Sequence, residues 1–203
     1  MRRIAVTIDC EHPDKPHFGP NDLSDVLDVV TGANLPLTFF VQGSWASARP
    51  ESVKRIVDAG YGIGSHSYWH AQLPMLTDDG VRFDIGLAKD IIETVCGRPQ
   101  LPLLRPPYGV ADGRVRRIAA EFGYRLVDWD LDSVDWDHGQ SVETFVENAF
   151  AAGSGSLLVH SWPRHTADSI GALVAAAKQH DAVFVELDEF LDSRDTPSVT
   201  RSA

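Results

Sequence analysis

The chain has 203 residues, of which 43% are hydrophobic and 23% charged, and this is typical of one globular domain with a sizeable core. Its formal net charge of -11 argues against a nucleic-acid partner or an anionic membrane surface, because either partner requires a basic patch. Two cysteines, Cys10 and Cys96, are too few for a disulfide framework. The sequence shows neither a signal peptide nor an apolar run of membrane-spanning length, so it predicts a cytoplasmic protein.

Short apolar, β-branched runs alternate with longer segments of helical period along the chain. The predicted strands are residues 4–8, 37–41, 61–64, 101–104, 124–127, 156–159 and 182–185. This alternation is typical of a domain built from repeated βα units with a parallel sheet.

The helices between these strands have recognisable start and stop residues. The first is predicted between a cap at Asn21 and Gly32, the second between Pro50 and Gly60, and the third between Thr77 and Gly97. Further helices are predicted over residues 113–122, 141–152 and 168–179. Because no internal repeat or low-complexity linker interrupts the pattern, residues 1–203 are predicted to form a single domain, with 196–203 as a loose tail.

Polar residues that can bind a metal or take part in catalysis follow five of the predicted strands. They occupy positions 9–12, 66, 105–108, 128–136 and 160. One Asp or His at a strand end is usually a helix cap or a loop residue, but repeated coincidence favours a site. In a barrel of parallel strands, the C-terminal ends all open on one face, so these residues are expected to converge there.

His66 and His70 form a pair of imidazoles four residues apart, directly after an apolar run. This spacing suits two ligands of one metal ion, although two histidines with other partners in the fold would show the same spacing. The pair by itself leaves both interpretations open.

Five segments of the chain resemble, in order and approximate spacing, the motifs of the polysaccharide deacetylase (NodB-homology) family, which is carbohydrate esterase family four. They are Thr7-Ile8-Asp9, His66-Ser67-Tyr68-Trp69-His70, Arg105-Pro106-Pro107-Tyr108-Gly109, Asp132-Ser133-Val134-Asp135-Trp136 and Leu157-Leu158-Val159-His160. The resemblance extends from about Ile4 to Leu191. It implies an α/β fold, a single-domain distorted (β/α) barrel with a site at the C-terminal ends of the strands.

The resemblance also implies an activity, namely a metal-dependent hydrolase that removes an acetyl group from an N-acetylated carbohydrate. His66 and His70 would hold a divalent metal, with zinc as the first expectation and cobalt, nickel or manganese as alternatives. Asp9 would be the general base, and Arg105 would hold its carboxylate in place.

The remaining roles follow from the same resemblance. The backbone N–H of Tyr108 would donate to the oxyanion, His160 would be the general acid, and Asp135 would keep His160 charged and oriented. Trp136 and Leu158 match positions that wall the acetyl pocket, and plain core packing is the alternative for both. Three other aromatic residues could either stack on sugar rings or lie in the core: Trp45, Trp69 and Trp162.

The first motif departs from the family's pattern, which usually has two adjacent aspartates, the second of them a metal ligand. Here Cys10 takes the second position and Glu11 follows. Because side chains alternate along a strand, Asp9 and Glu11 are expected on one face and Cys10 on the other. Glu11 is therefore predicted as the third metal ligand, with Cys10 and His12 as alternatives.

The expected partner is a small acetylated sugar or an oligosaccharide, with no nucleic acid and no membrane, and the oligomeric state is left open. Two rival functions remain. One is a metal-dependent hydrolase of a non-sugar amide or imide. The other is a non-catalytic sugar-binding relative that lost its metal through Cys10, although the presence of both Asp9 and His160 argues against it.

Overall fold

The computed structural model describes residues 1–12, 23–137 and 139–195, and these contain an eight-stranded sheet surrounded by helices. The strands are β1 (Arg2–Cys10), β2 (Leu37–Val41), β3 (Gly62–Ser65), β4 (Leu103–Leu104), β5 (Arg125–Leu126), β6 (Leu131–Asp132), β7 (Gly155–His160) and β8 (Ala182–Phe184). The α-helices are α1 (Ser24–Gly32), α2 (Gly43–Ala48), α3 (Pro50–Asp58), α4 (Asp78–Cys96), α5 (Gly113–Glu121), α6 (Val142–Ala149), α7 (Thr166–Ala176) and α8 (Leu187–Asp195). Short 3₁₀ turns lie at Leu73–Met75 and Pro107–Gly109.

All strand pairs in the sheet are parallel, in the order β5-β4-β3-β2-β1-β7-β6, while β8 pairs with the first residues of β1. The sheet curls into a distorted (β/α) barrel, as expected. Its two edge strands, β5 and β6, are consecutive in the chain. Between them the carbonyl of Asp128 accepts hydrogen bonds from Arg105 Nη2 and Ser156 Oγ, each at 3.4 Å. The C-terminal strand ends therefore surround a common space.

Strand β1 runs through the centre of the sheet, and its side chains alternate between two environments. Val6, Ile8 and Cys10 belong to the large apolar cluster between the sheet and its helices. Thr7 and Asp9 are equally buried but are bonded to other polar groups of the barrel interior. The two-residue period of an extended strand thus separates core from site, and it places Cys10 in the core.

The barrel interior is apolar away from the site. Ala5, Phe40, Leu103 and Val127 form a cluster there with the apolar face of α8, which contributes Leu187, Phe190 and Leu191. Polar side chains are consequently concentrated at the C-terminal end of the strands.

Several elements differ from the predicted ones. Helices α2 and α8 and strand β6 were not predicted. Helix α2 has six residues and β6 has two, and both are too short to show a clear hydrophobic period. Helix α8 is longer but only weakly amphipathic. Helix α7 begins at Thr166 instead of residue 168. The expected cap Asn21 lies outside the described residues, and α1 begins at Ser24 with Leu23 at the N-cap position. Residues 196–203 also lie outside the described part.

The expected start of α4 is confirmed, because the Thr77 side chain accepts a hydrogen bond from the backbone N–H of Gly80. Its end is confirmed by Gly97, which has the left-handed backbone (φ 65°) typical of a helix C-terminus. Among the described residues, no helix combines the length and the apolar character that crossing a bilayer requires.

Candidate metal-dependent active site

A cavity of about 540 Å³ opens at the C-terminal ends of the strands. It is lined by Asp9, Glu11, His12, His66, His70, Tyr108, Trp129, Asp132, Trp136, Leu158, His160 and Trp162. Arg105 and Asp135 lie behind this lining and are bonded to Asp9 and His160. The structure therefore brings all of the predicted site residues together, although they come from distant parts of the sequence.

Glu11, His66 and His70 form the ligand cluster, in which one possible ligand atom from each residue lies within 4.8 Å of the others. Glu11 Oε2 is 3.1 Å from His66 Nε2 and 2.5 Å from His70 Nε2. All three side chains are buried. Within the described part of the chain, this is the one group of three or more such side chains arranged closely enough to hold a metal ion.

The hydrogen bonds of His66 show how this donor set fits a metal. Its Nδ1–H donates to the backbone carbonyl of Arg105 at 2.8 Å, so that in the neutral ring Nε2 carries the lone pair. This lone pair faces a Glu11 carboxylate oxygen. Two acceptors in that position attract one another only through a cation or a proton between them, and two imidazole nitrogens with one carboxylate oxygen are a common zinc donor set.

Burial and charge act against each other in the ligand cluster. Burial alone would raise the pKa of Glu11, but hydrogen bonds from His12, His66 and His70 hold it well below its usual value. Burial opposes a charge on His66, yet the carboxylates of Asp9 and Glu11 raise its pKa. Burial lowers the pKa of His70. The lowered pKa favours the ionised form of Glu11, and a cation bound between Glu11 and the two imidazoles would neutralise this buried negative charge.

The turn that carries His70 is held by a buried carboxylate that the sequence did not predict as part of the site. Asp84 of α4 accepts hydrogen bonds from the backbone N–H groups of Tyr68 (2.8 Å) and Trp69 (3.0 Å). Ser67 and His70 both have left-handed backbone (φ 62° and 56°), which is uncommon away from glycine. The only sequence signal was an Asp among the apolar positions of α4.

Asp9 is fixed by a buried arginine. Its Oδ1 accepts a hydrogen bond from Arg105 Nη1 at 2.9 Å, and the same nitrogen donates to Thr7 Oγ1 at 2.7 Å. The guanidinium also lies 4.2 Å above the ring of Phe40. Asp9 Oδ2 lies 3.6 Å from His66 Nε2, so one oxygen of Asp9 is anchored and the other is directed toward the ligand cluster.

His160, at the end of β7, is held by Asp135 through both the ring and the backbone. Its Nδ1–H donates to Asp135 Oδ1 and its backbone N–H donates to Oδ2, each at 2.7 Å. Burial opposes a charge on this ring, but the carboxylate of Asp135 raises the pKa of His160 to about 9. His160 Nε2 lies 4.0 Å from Glu11 Oε1. The raised pKa favours the charged ring at neutral pH, with Nε2 at the cavity.

The other predicted site residues surround these groups. Tyr108, in the Pro107–Gly109 turn, has left-handed backbone (φ 59°), and its ring meets the ring of His70 edge-on at 4.6 Å. Tyr108 and Trp136 are 56% and 50% exposed, whereas Leu158 is buried. All three line the cavity, so neither Trp136 nor Leu158 serves core packing alone.

The structure also locates the alternatives to Glu11 and the residues that were missed. Cys10 is buried in the outer core and His12 lies outside the ligand cluster, although His12 Nε2 is 3.0 Å from Glu11 Oε1. Trp129 and Asp132 line the cavity without having been assigned a role. Among the candidate stacking residues, the cavity includes Trp162 but neither the core residue Trp45 nor the exposed Trp69. Trp129 and Asp132 both fall in the polar stretch 128–136 after the fifth predicted strand, and this was the one sequence signal for them.

Comparisons with known proteins agree with this geometry. Peptidoglycan-N-acetylglucosamine deacetylase from Bacillus cereus is 32% identical over 190 residues, which cover 91% of this chain and 66% of the relative. The chain thus spans just under two thirds of the length of that curated relative. The structure of a family 4 carbohydrate esterase from Streptomyces lividans in complex with acetate has a TM-score of 0.79 and 26% identity, covering 90% of this chain and 91% of that one.

A pseudoenzyme of the same esterase family from Bacillus anthracis has a TM-score of 0.84 at 22% identity, covering 94% of this chain and 66% of that one, and this likeness shows the fold alone. The family model for polysaccharide deacetylases matches residues 2–127. With that match across more than half of its length, the chain belongs to the polysaccharide deacetylase family.

Proposed function

We propose that this chain is a metal-dependent hydrolase that removes the acetyl group from an N-acetylated carbohydrate. One observation carries the proposal: a carboxylate base and an imidazolium acid flank the same ligand cluster. Asp9 Oδ2 lies 3.6 Å from His66 Nε2, and His160 Nε2 lies 4.0 Å from Glu11 Oε1. The name of the Bacillus cereus relative, a peptidoglycan-N-acetylglucosamine deacetylase, supports the substrate class.

Amide hydrolysis needs an activated water, stabilisation of the oxyanion and a proton for the leaving amine. Glu11, His66 and His70 would hold a divalent metal, which would lower the pKa of a bound water to about 7 and polarise the acyl oxygen. The two nitrogens and one oxygen favour zinc, with cobalt, nickel or manganese as alternatives.

The protein's own groups would perform the proton transfers. Asp9 accepts the proton of the attacking water at Oδ2, because Oδ1 is occupied by Arg105. The backbone N–H of Tyr108 donates to the oxyanion. His160 gives its Nε2 proton to the departing amine, and Asp135 keeps that ring charged and oriented until it does so.

The shape of the cavity suits a sugar ring. Tyr108 and Trp136 line the cavity and are about half exposed, so that they can offer aromatic faces, while Leu158 supplies a small apolar wall for a methyl group. We therefore propose a small acetylated sugar or an oligosaccharide as substrate. The cytoplasmic location expected from the sequence stays a prediction, which fractionation of the producing cells would check.

The test combines metal content with acetate release. The purified protein is loaded with zinc, and acetate release is measured from N-acetylglucosamine and its short oligomers, with a formamide and a cyclic imide as non-sugar substrates. We expect near-stoichiometric metal and turnover of at least one acetylated sugar. Turnover of the amides alone would instead identify the non-sugar hydrolase, and sugar binding without metal or turnover would identify the non-catalytic relative.

A pair of variants tests the choice of ligand. Glu11→Ala should lose the metal and at least about a thousandfold in rate, because a bound metal contributes several kcal/mol and each ~1.4 kcal/mol is a factor of ten. Cys10→Ala is the matched control, since it alters the neighbouring residue on the opposite face, and it should retain the metal. Loss of metal in Cys10→Ala but not in Glu11→Ala would contradict the assignment.

A further inference from the structure

The two oxygens of the Glu11 carboxylate have different surroundings. Oε2 faces the ring nitrogens of His66 and His70. Oε1 accepts a hydrogen bond from Trp162 Nε1 at 3.0 Å and lies 3.0 Å from His12 Nε2. A single oxygen is therefore directed into the ligand cluster, and the other is held outside it by N–H donors.

This division matters because Glu11 is the single carboxylate of the ligand cluster. Glu11 lies one residue beyond the end of β1, and a glutamate side chain has one more rotatable bond than an aspartate. Without support it could turn away from the cluster, or bind with both oxygens and fill a coordination position. A catalytic zinc site keeps such a position open for water or substrate, with three ligands from the protein.

Both donors are themselves fixed by the fold. His12 has left-handed backbone (φ 55°), and its backbone N–H donates to Oε1 of the buried Gln42 side chain at 2.9 Å. Its ring meets that of His70 edge-on at 4.7 Å. Trp162 is 5% exposed and follows His160 by two residues at the end of β7. Contacts within the protein thus hold both donors beside Glu11.

We propose that His12 and Trp162 are positioning residues that hold Glu11 as a one-oxygen metal ligand. They act by occupying Oε1, so that only Oε2 is presented beside His66 and His70. The proposal rests on the metal site of the proposed function and adds that one carboxylate oxygen of Glu11 binds the metal while the other accepts hydrogen bonds from the protein.

The test measures zinc affinity of the full chain by competition with a chromogenic chelator. Trp162→Phe keeps the apolar ring but removes the N–H, and we expect it to weaken zinc binding by about ten- to a hundredfold, as is typical when such supporting hydrogen bonds are lost. His12→Leu should have an effect in the same range, and His12→Gln, which retains an N–H donor, should recover part of it. Trp129→Phe, at a cavity tryptophan without an assigned role, is the matched control and should bind zinc as the parent does.

A spectroscopic readout separates positioning from a general loss of structure. Cobalt(II) in the parent should show the intense visible absorption of low coordination, and Trp162→Phe should show weaker bands as the freed Oε1 joins the metal. Circular dichroism of the metal-free variants confirms that they fold. Parent-like zinc affinity and cobalt spectra in both Trp162→Phe and His12→Leu would overturn the inference while leaving the metal site intact. A parent that binds no metal would overturn the proposed function itself.

Discussion

His66 and His160 line the same cavity, but the fold gives their Nδ1 atoms different hydrogen-bond acceptors. Both imidazoles are buried, with 2% and 9% of their surface exposed, and both donate a hydrogen bond from Nδ1. The acceptor for His66 is the neutral carbonyl of Arg105, whereas the acceptor for His160 is the carboxylate of Asp135.

Under the proposed function, this difference suits His66 to bind a metal and His160 to donate a proton. A neutral acceptor fixes the tautomer of His66 and leaves a lone pair on Nε2, which a metal needs. A carboxylate acceptor stabilises the imidazolium of His160, which a proton donor needs. In each ring the partner of Nδ1 thus contributes to what the cavity-facing Nε2 can do, together with the carboxylates beside Nε2.

The largest expected effect comes from removing each ring in turn. His66→Gln should lose both the metal and the activity, because it removes a ligand. His160→Gln should retain the metal while the rate of deacetylation falls by about a hundred- to ten-thousandfold, the usual contribution of a general acid. Metal content and kcat measured on the same preparations check this, and metal loss in His160→Gln would break the comparison.

A smaller effect is expected when the carboxylate partner of His160 is neutralised. The acid form of His160 is present below its raised pKa of about 9 and is lost as the pH rises through that value. In Asp135→Asn the pKa should fall toward the ordinary histidine value of about 6.5, so the rate at pH 8 should drop by about thirtyfold through loss of the protonated form. The pH dependence of kcat/KM checks the shift. An unchanged alkaline limit would show that Asp135 does not control this proton.

The smallest effect is expected from the support of the His70 turn. Asp84→Ala leaves the N–H groups of Tyr68 and Trp69 without their acceptor, and a lost buried partner costs about 1–3 kcal/mol, so the free energy of unfolding should fall by about 2 kcal/mol or more. Asp90→Ala, on an exposed position of the same helix, should change it by less than about 0.5 kcal/mol. Urea unfolding of the metal-free variants measures both. Equal effects of the two substitutions would show that Asp84 does not stabilise the turn that carries His70.

Much of the site could be predicted because strand ends in a parallel barrel converge. Asp9 and His160 lie at the C-terminal ends of β1 and β7, and His66 directly follows β3, three strands whose apolar runs were recognised in the sequence; the period of β1 also placed Cys10 in the core. The bonds of Asp84 could not be predicted, because they join α4 to a turn fifteen and sixteen residues earlier, and nothing local marks such a contact. The role of Trp162 was open for the same reason, since its Nε1 meets Glu11 only after β1 and β7 have paired.

By itself the sequence determined the alternation of strands and helices, the order of the motifs and the residue types that can bind a metal or move a proton, because these are properties of local pattern and side-chain chemistry. Only the tertiary structure decided which nitrogen of each buried histidine faces the cavity, which oxygen of Glu11 faces the ligand cluster, and that β6, α2 and α8 complete the barrel. Those outcomes depend on hydrogen bonds and packing between residues far apart in the chain, and such contacts exist only once the sheet has formed.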